Sequence, residues 1–226
     1  MDHARREPMG RGGRRSGTRR QATRLEQLAM DLGPLKPRWR FSRLVLRSPH
    51  APRIRERLEY VRGFFPEIEG LTIAVGLAKK RGVLGWGSLD PEAPGVWVRP
   101  RRIDSFTVAH EFTHLLQARR LVPGGERACD LWALARSPLL VDRPPCYLRL
   151  PVELSRLDRL DARQATLLHA AARAAIAARH RGERRYLLRF ERELAGAWER
   201  SRESRGARVS SPSRAVAGAR RDRWSA

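Results

Sequence analysis

Few short patterns constrain a chain as tightly as His110-Glu111-Phe112-Thr113-His114, set in the run TVAHEFTHLL from Thr107 to Leu116. On an α-helix, residues four apart share a face one turn apart, so both imidazoles can serve a single ion. Glu111 falls one residue round, where it flanks an ion's open coordination position rather than filling it. Two ligands and a general base in this spacing form the metal-hydrolase pattern H-E-x-x-H. Phe106, Ala109, Phe112, Leu115 and Leu116 recur at helical spacing, predicting a helix to about Ala118 with Asp104 or Ser105 as its N-cap. The same five residues also arise by chance in a helix bearing His and Glu, so the neighbouring chain has to supply the rest of a site.

A catalytic zinc site needs a third protein ligand and an open fourth position. After the turn VPGG (Val122 to Gly125), the segment ERACDLWALA (Glu126 to Ala135) predicts a second helix. If the two helices are antiparallel, Glu126 and Asp130, one turn apart, face back toward the histidines. Glu126 has the longer reach and suits a ligand at the start of the helix. Asp130 then accepts the free ring N–H of a ligand histidine and fixes its tautomer. The alternative is Asp130 as ligand, with Glu126 as an acidic first-turn residue complementing the helix dipole.

FTVAHEFTH (Phe106 to His114) resembles the FTLAHELGH signature of the ImmA/IrrE-like zinc metallopeptidases. ERACDLWALARSPLL (Glu126 to Leu140) is similar to that family's second helix, roughly E-x-x-A-N-x-F-A with a leucine-rich end. The resemblance spans about residues 70–140. It places Glu126 on the family's glutamate ligand, Cys129 on its alanine, Asp130 on its Asn/Asp, and Trp132 and Ala133 on its Phe-Ala. It implies a gluzincin-type zincin holding Zn²⁺ through His110, His114 and Glu126, with Glu111 as base. The chain departs from the pattern at Arg99, where the family often has asparagine, and at Thr113, where it usually has glycine. No helix-turn-helix module is recognisable. SprT-like proteases share the general shape but use a third histidine, and this chain has no well-placed candidate.

The remaining sequence predicts an α+β domain over residues 36–200. Ile54, Leu58, Val61 and Phe65 set a helix over about 52–65. Strands are expected at Leu71–Lys80, Val83–Leu89 and Gly95–Pro100, a short three-stranded sheet packed on the H-E-x-x-H helix, with twist or a bulge at the glycines of the second. RFSRLVLRS (Arg40 to Ser48) reads equally as strand or extended linker. Two further helices follow, Ala162–His180 and Arg185–Arg200. Residues 1–35 and 201–226 read as disordered basic segments flanking the domain, the first carrying a short amphipathic stretch at Arg24–Gly33.

Charge is the other strong global signal. The chain of 226 residues carries a formal net charge of +23, and because its lysines are Lys36, Lys79 and Lys80 alone, 44 of its 47 basic residues are arginine. Such an excess suits non-specific nucleic-acid contact through the arginine-rich ends, or reflects loosely constrained tails. Two cysteines are too few for a disulfide framework. The N-terminal stretch lacks a signal peptide's apolar run, though its arginines resemble a transit peptide's, and no run reaches a membrane span. The expectation is a cytoplasmic protein acting on protein or peptide.

Other residues weigh less. Cys129 and Cys146 could be metal ligands but lack a CxxC partner and read rather as small core or loop residues, His169 reads as a tolerated helix histidine, and Trp86 and Trp97 as core. Tyr147 is a candidate donor to a tetrahedral intermediate. The expected function is a zinc-dependent peptidase. The alternative is a basic nucleic-acid-binding or regulatory protein that retains the scaffold without proteolysis.

Overall fold

A computed structural model of the chain describes residues 38–78 and 85–209, with side chains through residue 204. The stretch Arg24–Gly33, the first 35 residues and the end of the sequence beyond Val209 lie outside the described residues. Within them the fold is α+β, with a four-stranded mixed sheet and seven α-helices.

The strands are β1 (Arg38–Phe41), β2 (Thr72–Leu77), β3 (Gly85–Gly87) and β4 (Gly95–Val98), in the order β1-β2-β4-β3. β1 pairs parallel to β2 and β2 parallel to β4, while β3 closes one edge antiparallel to β4. The three-strand expectation therefore misses β1. Its residues alternate Arg38, Trp39, Arg40, Phe41, with the two aromatics turned inward, but a window opened at Arg40 hides that period of two. Immediately after it the chain bends into a one-turn helix, α1 (Arg43–Leu46), capped by Ser42, which the ambiguous reading of this segment did not resolve.

The crossover from β1 to β2 is α2 (Ala51–Arg62), whose buried Ile54, Leu58 and Val61 follow the 3.6-residue period. The central helix, α3 (Ser105–Ala118), starts where Asp104 accepts a hydrogen bond from the Thr107 N–H at 2.7 Å, as the N-cap expectation requires. Phe112, fully buried, stacks on Trp39 at 6.0 Å and meets Phe65 edge-on at 5.5 Å, so one side chain of α3 ties together β1 and the end of α2.

α4 (Glu126–Arg136) returns along α3, and a one-turn helix, α5 (Val152–Ser155), follows a proline-rich loop. α6 (Ala162–His180) opens with an Asp161/Gln164 capping box and buries a row of small side chains, Ala165, Ala171, Ala172 and Ala175 among them. That row lets it lie against both α4 and α7 (Tyr186–Val209). α7 runs past the expected end near Arg200, into RSRESRGARV, which lacks the apolar periodicity that marks a helix in sequence. No described helix is long and apolar enough to cross a membrane.

The core thus has α3 at its centre, with sheet and α2 on one side and α4, α6 and α7 on the other. Truncating Phe112 to alanine should cost about 3–5 kcal/mol in a urea denaturation series, the usual penalty for emptying an aromatic site in a packed core. A change below about 1 kcal/mol would mean that the aromatic cluster does not hold β1 in place.

Candidate metal centre

The contacts between α3 and α4 run in opposite directions along the chain: His114 faces Glu126, while His110 faces Asp130. The two helices are therefore antiparallel, and the seven-residue connection 119–125 brings Glu126 back over the second histidine. His110 and His114 sit edge to face with ring centroids 4.9 Å apart.

Each histidine uses its Nδ1 for a fixed partner. His110 Nδ1 lies 2.7 Å from Asp130 Oδ1, and Asp130 is buried to 1% exposure. His114 Nδ1 lies 2.9 Å from Gln117 Oε1. Gln117 shows its oxygen to the ring because its Nε2 donates to the carbonyls of Pro123 and Gly125, at 2.7 and 3.0 Å. With both Nδ1 atoms donating, both neutral rings present an Nε2 lone pair. The two lone pairs converge on one atom, Glu126 Oε2, 3.0 Å from His110 Nε2 and 3.4 Å from His114 Nε2.

Three acceptors facing one another need a cation among them. A proton on His110 serves in the absence of metal. Although burial opposes its charge, the Asp130 hydrogen bond and charge, with Glu111 and Glu126 behind them, raise its pKa above the ordinary histidine value. Burial, and then the charge on His110, lowers that of His114. A metal ion could take the same place. Tetrahedral zinc with ligands at about 2.0–2.1 Å has ligand–ligand edges of about 3.3–3.4 Å, against 3.0 and 3.4 Å for the two edges that end on Glu126.

Cys129 also belongs to this neighbourhood. His110, His114 and Cys129 form a buried group whose ligand atoms all lie within 4.8 Å of one another, and such a group could hold a metal ion. Cys129 Sγ, however, donates to the His110 carbonyl oxygen at 3.0 Å, and burial pushes its pKa far up, keeping it a thiol. Its position matches the small core residue expected from sequence.

Glu111 is buried, and its Oε2 has no hydrogen-bond partner among the described residues. Burial raises its pKa to about 8. It lines a cleft of about 390 Å³ with both histidines, Glu126, Tyr147 and Trp86. The phenol ring of Tyr147 stacks on His110, centroids 5.7 Å apart, and its amide donates to Asp130 Oδ2 at 2.7 Å. Burial, then the nearby Glu126, pushes the Tyr147 pKa up, so the hydroxyl keeps its proton.

Two features of the cleft were not read from sequence. Trp86, expected in the core, is 56% exposed and forms part of the cleft wall beside Trp97. Its flanking glycines do not make a bulge; they let β3 lie directly on α3. A Cβ on Gly87 would come within 2.6 Å of the Glu111 carbonyl and 2.7 Å of His114 Cβ, and one on Gly85 would strike the Glu111 carboxylate. Strand period two, with both glycines facing a helix, is the signal that could have revealed this contact. The second missed feature is Asp142-Arg143. Asp142 accepts from the Ser105 and Phe106 N–H groups at 2.8 and 3.0 Å, and Arg143 pairs with Asp104 at 2.9 Å. His169 lies outside the cleft, its Nδ1 bonded to the Leu134 carbonyl, and Cys146 is an exposed residue at the rim.

No protein-family model matches the chain, and no curated protein or solved structure matches it either.

The glycine contact has a measurable consequence. Gly87→Ala should destabilise the protein by about 1–3 kcal/mol, as overpacking does, whereas Gly124→Ala, with nothing within 4 Å of its added Cβ, should change it by less than about 0.5 kcal/mol. Equal melting temperatures for the two variants would show that β3 does not rest on α3 as described.

Proposed function

We propose that the chain is a zinc-dependent peptidase in which His110, His114 and Glu126 hold the metal and Glu111 is the general base. The observation that carries this reading is the convergence of both Nε2 lone pairs on Glu126 Oε2, with each Nδ1 tied down behind. The resemblance of both helices to those of the ImmA/IrrE-like metallopeptidases supports it. Zinc in such a set supplies a Lewis acid that makes water acidic near pH 7 and polarises the scissile carbonyl.

The chain's own groups do the rest. Glu126, half-exposed at the mouth of the cleft, leaves one side of the set open to substrate. Glu111 takes the proton of the attacking water and returns it to the leaving amine; burial brings its affinity for that proton into the neutral range, where uptake and release are both accessible. Asp130 holds the His110 ring in the tautomer that leaves Nε2 free and, through the Tyr147 amide, sets the loop that covers the cleft. The Tyr147 hydroxyl, kept protonated, is a donor to the oxygen that becomes negative during attack. Glu126 is preferred to Asp130 as ligand because both Asp130 oxygens are already engaged. It is preferred to Cys129 because that thiol is turned to a backbone carbonyl.

The purified chain should bind about one zinc, and Glu126→Ala should lose it, while Asp130→Asn should weaken binding only about 10–100-fold. The reverse ranking, read by zinc titration, would exchange their roles. Glu111→Gln should retain zinc and lose hydrolysis of an unfolded protein substrate such as casein. Undiminished hydrolysis by this variant would place the base elsewhere. Full zinc with no hydrolysis by the unmutated chain would favour the non-proteolytic alternative.

A further inference from the structure

On the other side of the α3–α4 turn lies a second cleft, of about 690 Å³, lined by Arg120, Arg179, His180 and Arg184. It shares Gln117 with the metal centre, but its chemistry is different. Its one carboxylate, Glu183, is engaged by Arg189 at 3.2 Å. Among the described residues none of Arg120, Arg179 or Arg184 is in an ion pair, and all three are exposed. The Arg179 guanidinium is held over the Tyr186 ring at 4.9 Å and the Trp132 ring at 6.0 Å, so it is positioned without being neutralised.

Helix dipoles do not account for this cluster. The C-terminal ends of α3 and α6 meet here and favour cations, but each end is worth only about half a negative charge. Three arginines outweigh the pair. Arg184 and Arg185, moreover, precede the N-terminus of α7, the end that favours acids, and that helix has no acidic residue in its first turn. Arg120 takes a left-handed backbone, φ 58°, just past the end of α3, where glycine is the usual residue. A long cation at a position that suits glycine points to use of the side chain.

We propose that this cleft binds the phosphate backbone of nucleic acid. Guanidinium forks match phosphate oxygens, and the cations come from three segments, the α3–α4 turn, α6 and the α6–α7 turn, so they suit consecutive phosphates rather than one isolated anion. The charge of +23 supplies the long-range attraction. The sequence alone assigned nucleic-acid contact to the arginine-rich ends; here the folded domain carries a surface of its own, independent of any reaction at the metal centre.

The test is salt-dependent binding of the full chain to a labelled mixed-sequence DNA duplex. Replacing Arg120, Arg179 and Arg184 together with glutamine should flatten the log–log salt slope by about 2–3, since each lost phosphate contact removes about 0.9. The lysine triple should keep most of the slope. A control triple, Arg38, Arg40 and Arg43 to glutamine, removes the same charge from β1 and α1, outside the cleft, and should change the slope by less than about 1. Arg184→Gln alone, on an exposed turn, should lower it by about 0.9 and covers the case in which the triple does not fold. Equal loss in the two glutamine triples, an unchanged slope for Arg184→Gln, or no duplex binding at low salt would each overturn the proposal. Prevention of duplex binding by millimolar inorganic phosphate at constant ionic strength would do the same, showing a site for a small anion only.

Discussion

The Asp130 carboxylate is the point on which the candidate centre depends. It is buried, and both of its oxygens are engaged, one by the His110 ring and the other by the Tyr147 amide. A single side chain therefore joins α3, α4 and the loop beyond. A buried carboxylate is costly unless hydrogen-bonded to saturation, and here saturation is achieved only with α4 antiparallel to α3 and the proline-rich loop folded back. The orientation of the His110 ring, and with it the direction of its Nε2 lone pair, follows from that arrangement. On the far histidine Gln117 has the corresponding part, and because its amide is fixed by two carbonyls of the 119–125 connection, that connection's conformation also sets where Glu126 begins.

α3 is held from its other end as well. Asp104 caps it, Asp142 binds its first two amides, and Arg143 links the two carboxylates' neighbourhoods through Asp104. Opposite, β3 touches the helix backbone through its glycines. Glu111 is thereby enclosed on several sides while its Oε2 has no hydrogen-bond partner among the described residues. A core helix with a polar face, gripped by strand, cap and return helix, keeps groups in place that would otherwise be solvated. The sequence Ser105 to Leu116, buried throughout, shows how little of this helix meets solvent.

Much of this was legible beforehand, and the reasons are specific. The α3 and α4 helices announced themselves through apolar spacing, an N-cap and a glycine-containing turn, and the pairing of His110 with Asp130 follows from two helices folded back on each other. What escaped notice was governed by contacts distant in sequence. β1 is only four residues and gains its stability by pairing with β2 and placing Trp39 on Phe112. The Gly-Trp-Gly of β3 reads locally as a weak strand, and only the helix beneath explains the glycines and leaves Trp86 outside. Asp142 and Arg143 look like loop residues until the start of α3 is beside them. The proposed zinc and peptidase chemistry rest on the donor set and the motif resemblance together, with Cys129, whose sulfur lies close to both histidines, as the rival of Glu126 for the third position.

Those rivals differ in the atom they would offer, and X-ray absorption at the zinc edge of the zinc-loaded chain distinguishes them directly. A His110–His114–Glu126 centre requires a first shell of nitrogen and oxygen alone, at about 2.0–2.1 Å. A sulfur scatterer at about 2.3 Å would put Cys129 in the shell and contradict the account, as would a chain that takes up no zinc at all.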